Sequence, residues 1–161
     1  MIPQRIVSLV PSQTELLFDL GVGARVVGVT KFCIHPAPAR SQAVVVGGTK
    51  NFDLAKIAAL KPDLIIGNKE ENYREGIELL AADFPVWVSD VSNLPQALDM
   101  IATVGELVGA DEKAAALISL PLKYMHTTVE TVHRDDVESV TRLIYETLLK
   151  IEDGHDFRYF S

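Results

Sequence analysis

The chain has 161 residues, 48% hydrophobic and 23% charged, which suits one globular domain of roughly 100 to 150 residues and excludes a disordered or collagen-like chain. Fifteen Lys and Arg against 22 Asp and Glu give a formal charge of −7 with no basic run, so nucleic acid is excluded as a partner, and no apolar run approaches the roughly 18 residues of a membrane span. One cysteine, Cys33, and four scattered histidines exclude a disulfide or zinc-finger scaffold.

Arg5 to Val10 is a β-branched apolar run stopped by Pro11, and Ser12-Gln13-Thr14-Glu15 fits a capping box ahead of Leu16, Leu17 and Leu20. Gly21 and Gly23 end that helix, and Arg25 to Thr30 reads as a second buried strand. The proline spacing makes Lys31 to Pro38 an irregular loop. Val44 to Val46 is a short strand closed by Gly47-Gly48, followed by Thr49-Lys50-Asn51 and a helix from about Asp53 to Leu60. Leu64 to Gly67 reads as a strand, Asn68 to Asn72 as a polar loop, and a helix then runs to about Ala82. Val86 to Val88 is a further strand, and helices are expected from about Leu94 to Val108 and from Asp111 to Ile118. Beyond Ser119 the character changes: Leu120 to His126 reads as strand, Asp135 starts an amphipathic helix ending at Asp153-Gly154, and His155 to Ser161 is a tail.

Apolar strands alternating with helices predict an α/β fold, a parallel sheet of about four or five strands covered on both faces. In such sheets ligands collect at the carboxyl ends of the strands, here Pro11-Ser12, Lys31 to Pro38, Gly48 to Asn51, Asn68 to Asn72, and Ser89-Asp90. Pro11, Ser12, Thr14, Thr49 and Asn68 are candidate contacts on this edge, with backbone amides after Pro11 as donors. Phe32, His35 and Trp87 offer flat apolar surface or a ligating nitrogen, and Lys31 and Lys50 can attract acidic groups. Each also has a plainer reading: Glu15 as a helix cap, Trp87 as core, Lys50 as a solvated charge. Cys33 and His35 have a spacing apt for soft metals, but two ligands are too few for a closed site.

Arg5-Ile-Val-Ser-Leu-Val-Pro-Ser-Gln-Thr-Glu, then Val26-Val-Gly-Val-Thr30, then Leu60-Lys-Pro-Asp-Leu-Ile-Ile66 resemble, in order and spacing, the cobalamin and iron-siderophore binding proteins of ABC importers. The resemblance covers about residues 4 to 118 and implies one of two α/β lobes joined by a long helix, with a corrinoid or ferric chelate held between them. It also implies docking to an ABC permease through an exposed glutamate, for which Glu71 or Glu75 could serve. A solvated acidic helix start is the alternative reading of those two.

Lys123-Tyr-Met-His-Thr-Thr-Val-Glu130 and its surroundings, about residues 116 to 161, resemble instead the C-terminal end of dinuclear-zinc aminopeptidases. There the histidine matching His126 is a metal ligand, so zinc is implied only under that alternative. The rest of such a site is absent from this chain. The expected organisation is therefore a binding-protein lobe over 1–118 and an appended strand-helix segment over 119–161, with a seam near 115–118. The leading reading is a substrate-binding lobe without catalysis and lacking its second lobe; the alternatives are an aminopeptidase fragment or a non-functional fusion. With no export signal in Met1 to Arg5 the chain as written reads as cytoplasmic, and as periplasmic if such a signal is missing from it.

Overall fold

Ile6, Val7 and Ser8 are all buried, which a strand permits only when both of its faces are covered. This strand, β1 (Ile6–Ser8), is the centre of a five-stranded sheet in the computed structural model of the chain, which describes residues 2–122, with side chains to residue 118. Its neighbours are β2 (Val26–Val29) and β6 (Leu64–Asn68); β3 (Val44–Val45) lies beyond β2, and β7 (Val86–Ser89) beyond β6. Every pairing is parallel, with Ile6 opposite Leu64, Val7 opposite Ile65 and Ser8 opposite Ile66. The expected parallel sheet is thus present. Contacts close within Met1–Ser119, the first of two compact units of the chain.

Strand alternation sends successive side chains to opposite faces, and the two cores follow from it. Ile6, Leu64 and Ile66 join Leu17, Leu20, Val29, Val104 and Val108 on one face, under α1 (Pro11–Asp19) and α5 (Leu94–Val108). Val7 and Ile65 join Val46, Phe52, Ile57 and Leu80 on the other, under α3 (Leu54–Ala59) and α4 (Arg74–Asp83). Local signals set the helix ends. Asp53 caps α3 by accepting from the Lys56 N–H at 3.0 Å, and Asn93 caps α5 by accepting from the Gln96 N–H at 3.0 Å. The Gln96 carboxamide oxygen accepts in return from the Ser92 N–H at 2.7 Å. Gly21, at φ 76°, closes α1 in the left-handed conformation that glycine adopts without penalty.

Four expectations differ from what is found. The residues of the expected capping box lie inside α1, whose N-cap is Val10 in extended conformation with no side-chain cap. Pro11 takes the first helical position, where its fixed φ suits the helix and its missing N–H costs nothing, so Ser12 is displaced inward. The irregular loop ends one residue early, because Pro38 likewise opens a short helix, α2 (Pro38–Gln42). Gly47-Gly48 does more than close β3: β4 (Gly47–Gly48) turns back antiparallel on β5 (Asn51–Phe52). Finally, Leu120 to Leu122 are not strand but the end of α6 (Asp111–Leu122), which starts on Asp111 and Glu112 and runs through three alanines of high helix propensity. Lys123 to Ser161, including the rest of that expected strand, the expected tail helix and His126, lie outside the described residues.

Candidate functional site

From β1 the chain proceeds to β2 and β3 on one side of the sheet, then returns to place β6 and β7 on the other. The loops leaving β1 and β6 therefore diverge, and this switch point opens the crevice in which open α/β sheets take ligands. Here the crevice is floored by buried polar side chains. The Thr14 hydroxyl lies 2.8 Å from Ser8 Oγ, 2.9 Å from the Val10 carbonyl oxygen and 3.2 Å from Cys33 Sγ, and Thr30 Oγ1 is also 3.2 Å from that sulfur. All four of these side chains are fully buried, so the start of α1 is tied to the loop after β2. Replacing Thr14 by valine keeps the shape and removes these bonds. It is expected to cost about 1 kcal/mol in urea unfolding, and an unchanged midpoint would show that the hydroxyl contributes nothing to the floor.

A second set of bonds joins the other strand ends. Gln13 Nε2 donates to Ser89 Oγ, Asn68 Nδ2 donates to the same oxygen at 3.0 Å, and the Ser89 hydroxyl donates to the Gly67 carbonyl at 3.3 Å. Asn72 Nδ2 reaches the carbonyl oxygens of Leu9 at 3.3 Å and Thr49 at 2.9 Å. At the rim, the Lys69 ammonium pairs with the Asp90 carboxylate. Its hydrogen bond to Asp90, then the charge of Asp90, holds the ammonium above its usual range, though both groups are exposed and such a pair adds little to stability.

Beside this floor stand the candidate contact groups of the edge. Pro11 is half-buried and Ser12 exposed at the start of α1. Phe32 is 50% exposed, with Lys31 Nζ 5.0 Å from its ring centre, within cation–π range. Its ring lies against the β4–β5 hairpin, since a methyl group added at Gly48 would sit 3.4 Å from Phe32 Cε2. Thr49, half-buried, and Lys50, exposed, form the hairpin tip. Asn68 ends β6 and is half-buried; its Oδ1 accepts from the N–H groups of Glu70 and Glu71 at 2.9 and 3.1 Å. Glu71 is half-buried in this loop and Glu75 is exposed in the first turn of α4.

The structure therefore brings Pro11, Ser12, Phe32, Thr49, Lys50 and Asn68 to one edge and sets Thr14 beneath it. His35 lies further along the loop after β2, exposed. Trp87 is placed elsewhere: it sits within β7 opposite Ile66, half-buried against the core that α5 covers, in a shallow depression with Gln96 and Met100. Cys33 and His35 do not converge, one being fully buried and the other exposed, and among the described residues no three His, Cys, Asp or Glu side chains form a metal-binding group. Sequence reasoning placed Asn72 in a strand-end loop of the edge but missed Gln13, which lies within α1; nothing local marks the two side chains as 7% and 2% exposed.

A sheet edge of this kind, with donors, an aromatic face and cations carried on loops over a hydrogen-bonded floor, lies where open α/β sheets take ligands. Comparison with known proteins gives the family. The sequence model of the Periplasmic binding protein family matches residues 6–147, and the chain belongs to that family. The match continues past the expected seam. An uncharacterized ABC transporter substrate-binding lipoprotein of Bacillus subtilis, YvrC, is 32% identical over 145 residues, covering 86% of this chain and 46% of that protein. A vitamin B12-binding protein of Pectobacterium atrosepticum is 32% identical over 144 residues, covering 76% of this chain and 51% of its own length. Among solved structures, a periplasmic heme-binding protein of Pseudomonas aeruginosa superposes with a TM-score of 0.70 at 26% identity, over 76% of this chain and 44% of that one. The periplasmic vitamin B12-binding protein of Vibrio cholerae superposes with a TM-score of 0.65 at 29% identity, over 75% and 49%. The chain thus spans about half the length of the curated relatives it matches. No helix among the described residues is long and apolar enough to cross a membrane.

Proposed function

We propose that this chain is the front lobe of a substrate receptor for an ABC importer, and that it takes a corrinoid or a ferric chelate on the carboxyl edge of its sheet. The observation that carries this reading is the exposed Phe32 ring, flanked by Lys31 and the Thr49-Lys50 hairpin tip, over a hydrogen-bonded floor at the switch point. A flat or bulky chelate with acidic or carbonyl groups matches an aromatic face, two lysines and the free N–H groups that open α1. Relatives named for vitamin B12 and heme support this ligand class. Glu71 and Glu75, on the loop and helix beside the edge, are proposed to meet the permease, and the receptor is proposed to act in the periplasm, as relatives with that word in their names suggest.

Equilibrium dialysis against cyanocobalamin and against ferrichrome tests the proposal. A single lobe supplies half of the enclosing contacts, so a dissociation constant of about 100 μM is expected for one of the two. Phe32→Ala is expected to weaken it about tenfold while Glu75→Gln leaves it unchanged. Absence of saturable uptake of either ligand at millimolar concentration overturns the reading.

A further inference from the structure

We infer that Asn72 is a positioning residue that holds the ligand-contact hairpin and the acidic loop before α4 in one fixed relation, so that a molecule seated at the hairpin is felt at Glu70 and Glu71. This rests on the function proposed above. The side chain is 7% exposed, and a carboxamide removed from water is costly unless its donors and acceptor are used. All are used, on three backbone segments. Nδ2 donates to Leu9 at the end of β1 and to Thr49 at the hairpin tip, and Oδ1 accepts from the Asn68 N–H at 2.8 Å. Asn68 carries the connection onward, because its own Oδ1 receives the N–H groups of Glu70 and Glu71. Two side chains thus lead from the carbonyl of Thr49 to the backbone of the acidic loop.

The packing leaves Asn72 little choice of position. A methyl group at Gly67 would lie 2.8 Å from its Oδ1, so the carboxamide lies close over that glycine. The chemistry is equally restrictive. A carboxylate would face two carbonyl oxygens, and an aliphatic chain would leave two acceptors and a donor unpaired. Of side chains this size, only a primary amide offers both donors and the acceptor.

Amide hydrogen exchange on the full chain, with and without cyanocobalamin, tests the coupling alongside dialysis of the same samples. In the unaltered protein the ligand is expected to slow exchange about tenfold both at residues 49–52 and at residues 70–71. In Asn72→Ala the slowing at 49–52 is expected to remain and that at 70–71 to vanish. Asn72→Ser, which keeps a short polar group at the site but loses the reach to the Thr49 carbonyl, is expected to do the same and serves if Asn72→Ala does not fold. Slowing at 70–71 that persists in a folded variant overturns the coupling, as does cyanocobalamin binding with no slowing there in the unaltered protein. Absence of cyanocobalamin binding by dialysis overturns the coupling to that ligand and, when ferrichrome also fails, the functional reading with it.

Discussion

Leu17→Ala is expected to lower the unfolding free energy by about 3 kcal/mol, read as a shift of the urea midpoint at constant slope. Leu17 is fully buried in the core beneath α1, where Ile6, Leu20, Val22 and Val29 belong to the same cluster. Removing its isobutyl group loses the transfer energy of the side chain and leaves a space between helix and sheet. These neighbours cannot close that space freely, since Ile6 is held in β1 by two flanking strands and the Leu17 carbonyl accepts the Val22 N–H at 2.9 Å. Retention of the original midpoint would mean that α1 is not packed on the sheet as described.

The second expectation concerns the hairpin. Gly47 has φ 122°, outside the range that residues with a side chain tolerate, and a methyl group there would lie 2.8 Å from the Asn51 carbonyl oxygen and 2.9 Å from Phe52 Cα. Both obstacles are backbone, so the strand pair itself must shift. The Gly47 carbonyl also accepts the Lys31 N–H at 2.7 Å, which joins the hairpin to the loop bearing Phe32. Gly47→Ala is expected to cost about 2 kcal/mol and, under the function proposed, to weaken cyanocobalamin binding measured by dialysis. Unchanged stability would show that the hairpin does not hold this conformation.

The parts of the fold legible in the sequence are those whose local signals agree with their surroundings. Helix α5 is found where it is expected, Leu94 to Val108, because Asn93 is a capping residue and Gly109 accepts a left-handed turn. The strands of the sheet are legible because burial on both faces leaves continuous apolar runs, as in Leu64 to Ile66. Where two signals compete, the reading fails: Ser12 to Glu15 matches a capping pattern, but Pro11 claims the first helical position before it. The Gly47-Gly48 turn escapes notice because strands of two residues have no periodicity. The site divides in the same way. Strand ends place Phe32, Thr49 and Lys50 on the candidate edge, and the apolar strand around Trp87 already suggests core, which its packing against the cluster under α5 matches. Gln13 and Asn72 are the hardest to read, since their burial is created by partners 76 and 63 residues away, Ser89 and Leu9.

The cysteine in the floor of the crevice has one more consequence. Cys33 is fully buried, its sulfur lying between the hydroxyls of Thr14 and Thr30. A thiol that solvent does not reach meets neither peroxide nor a second thiol, so the folded lobe is protected from sulfenic acid formation and from mixed disulfides. In an oxidising compartment the threat to this lobe is opening rather than exposure: the sulfur becomes reactive when its loop or α1 lifts away, and oxidation then hinders the return to the folded form.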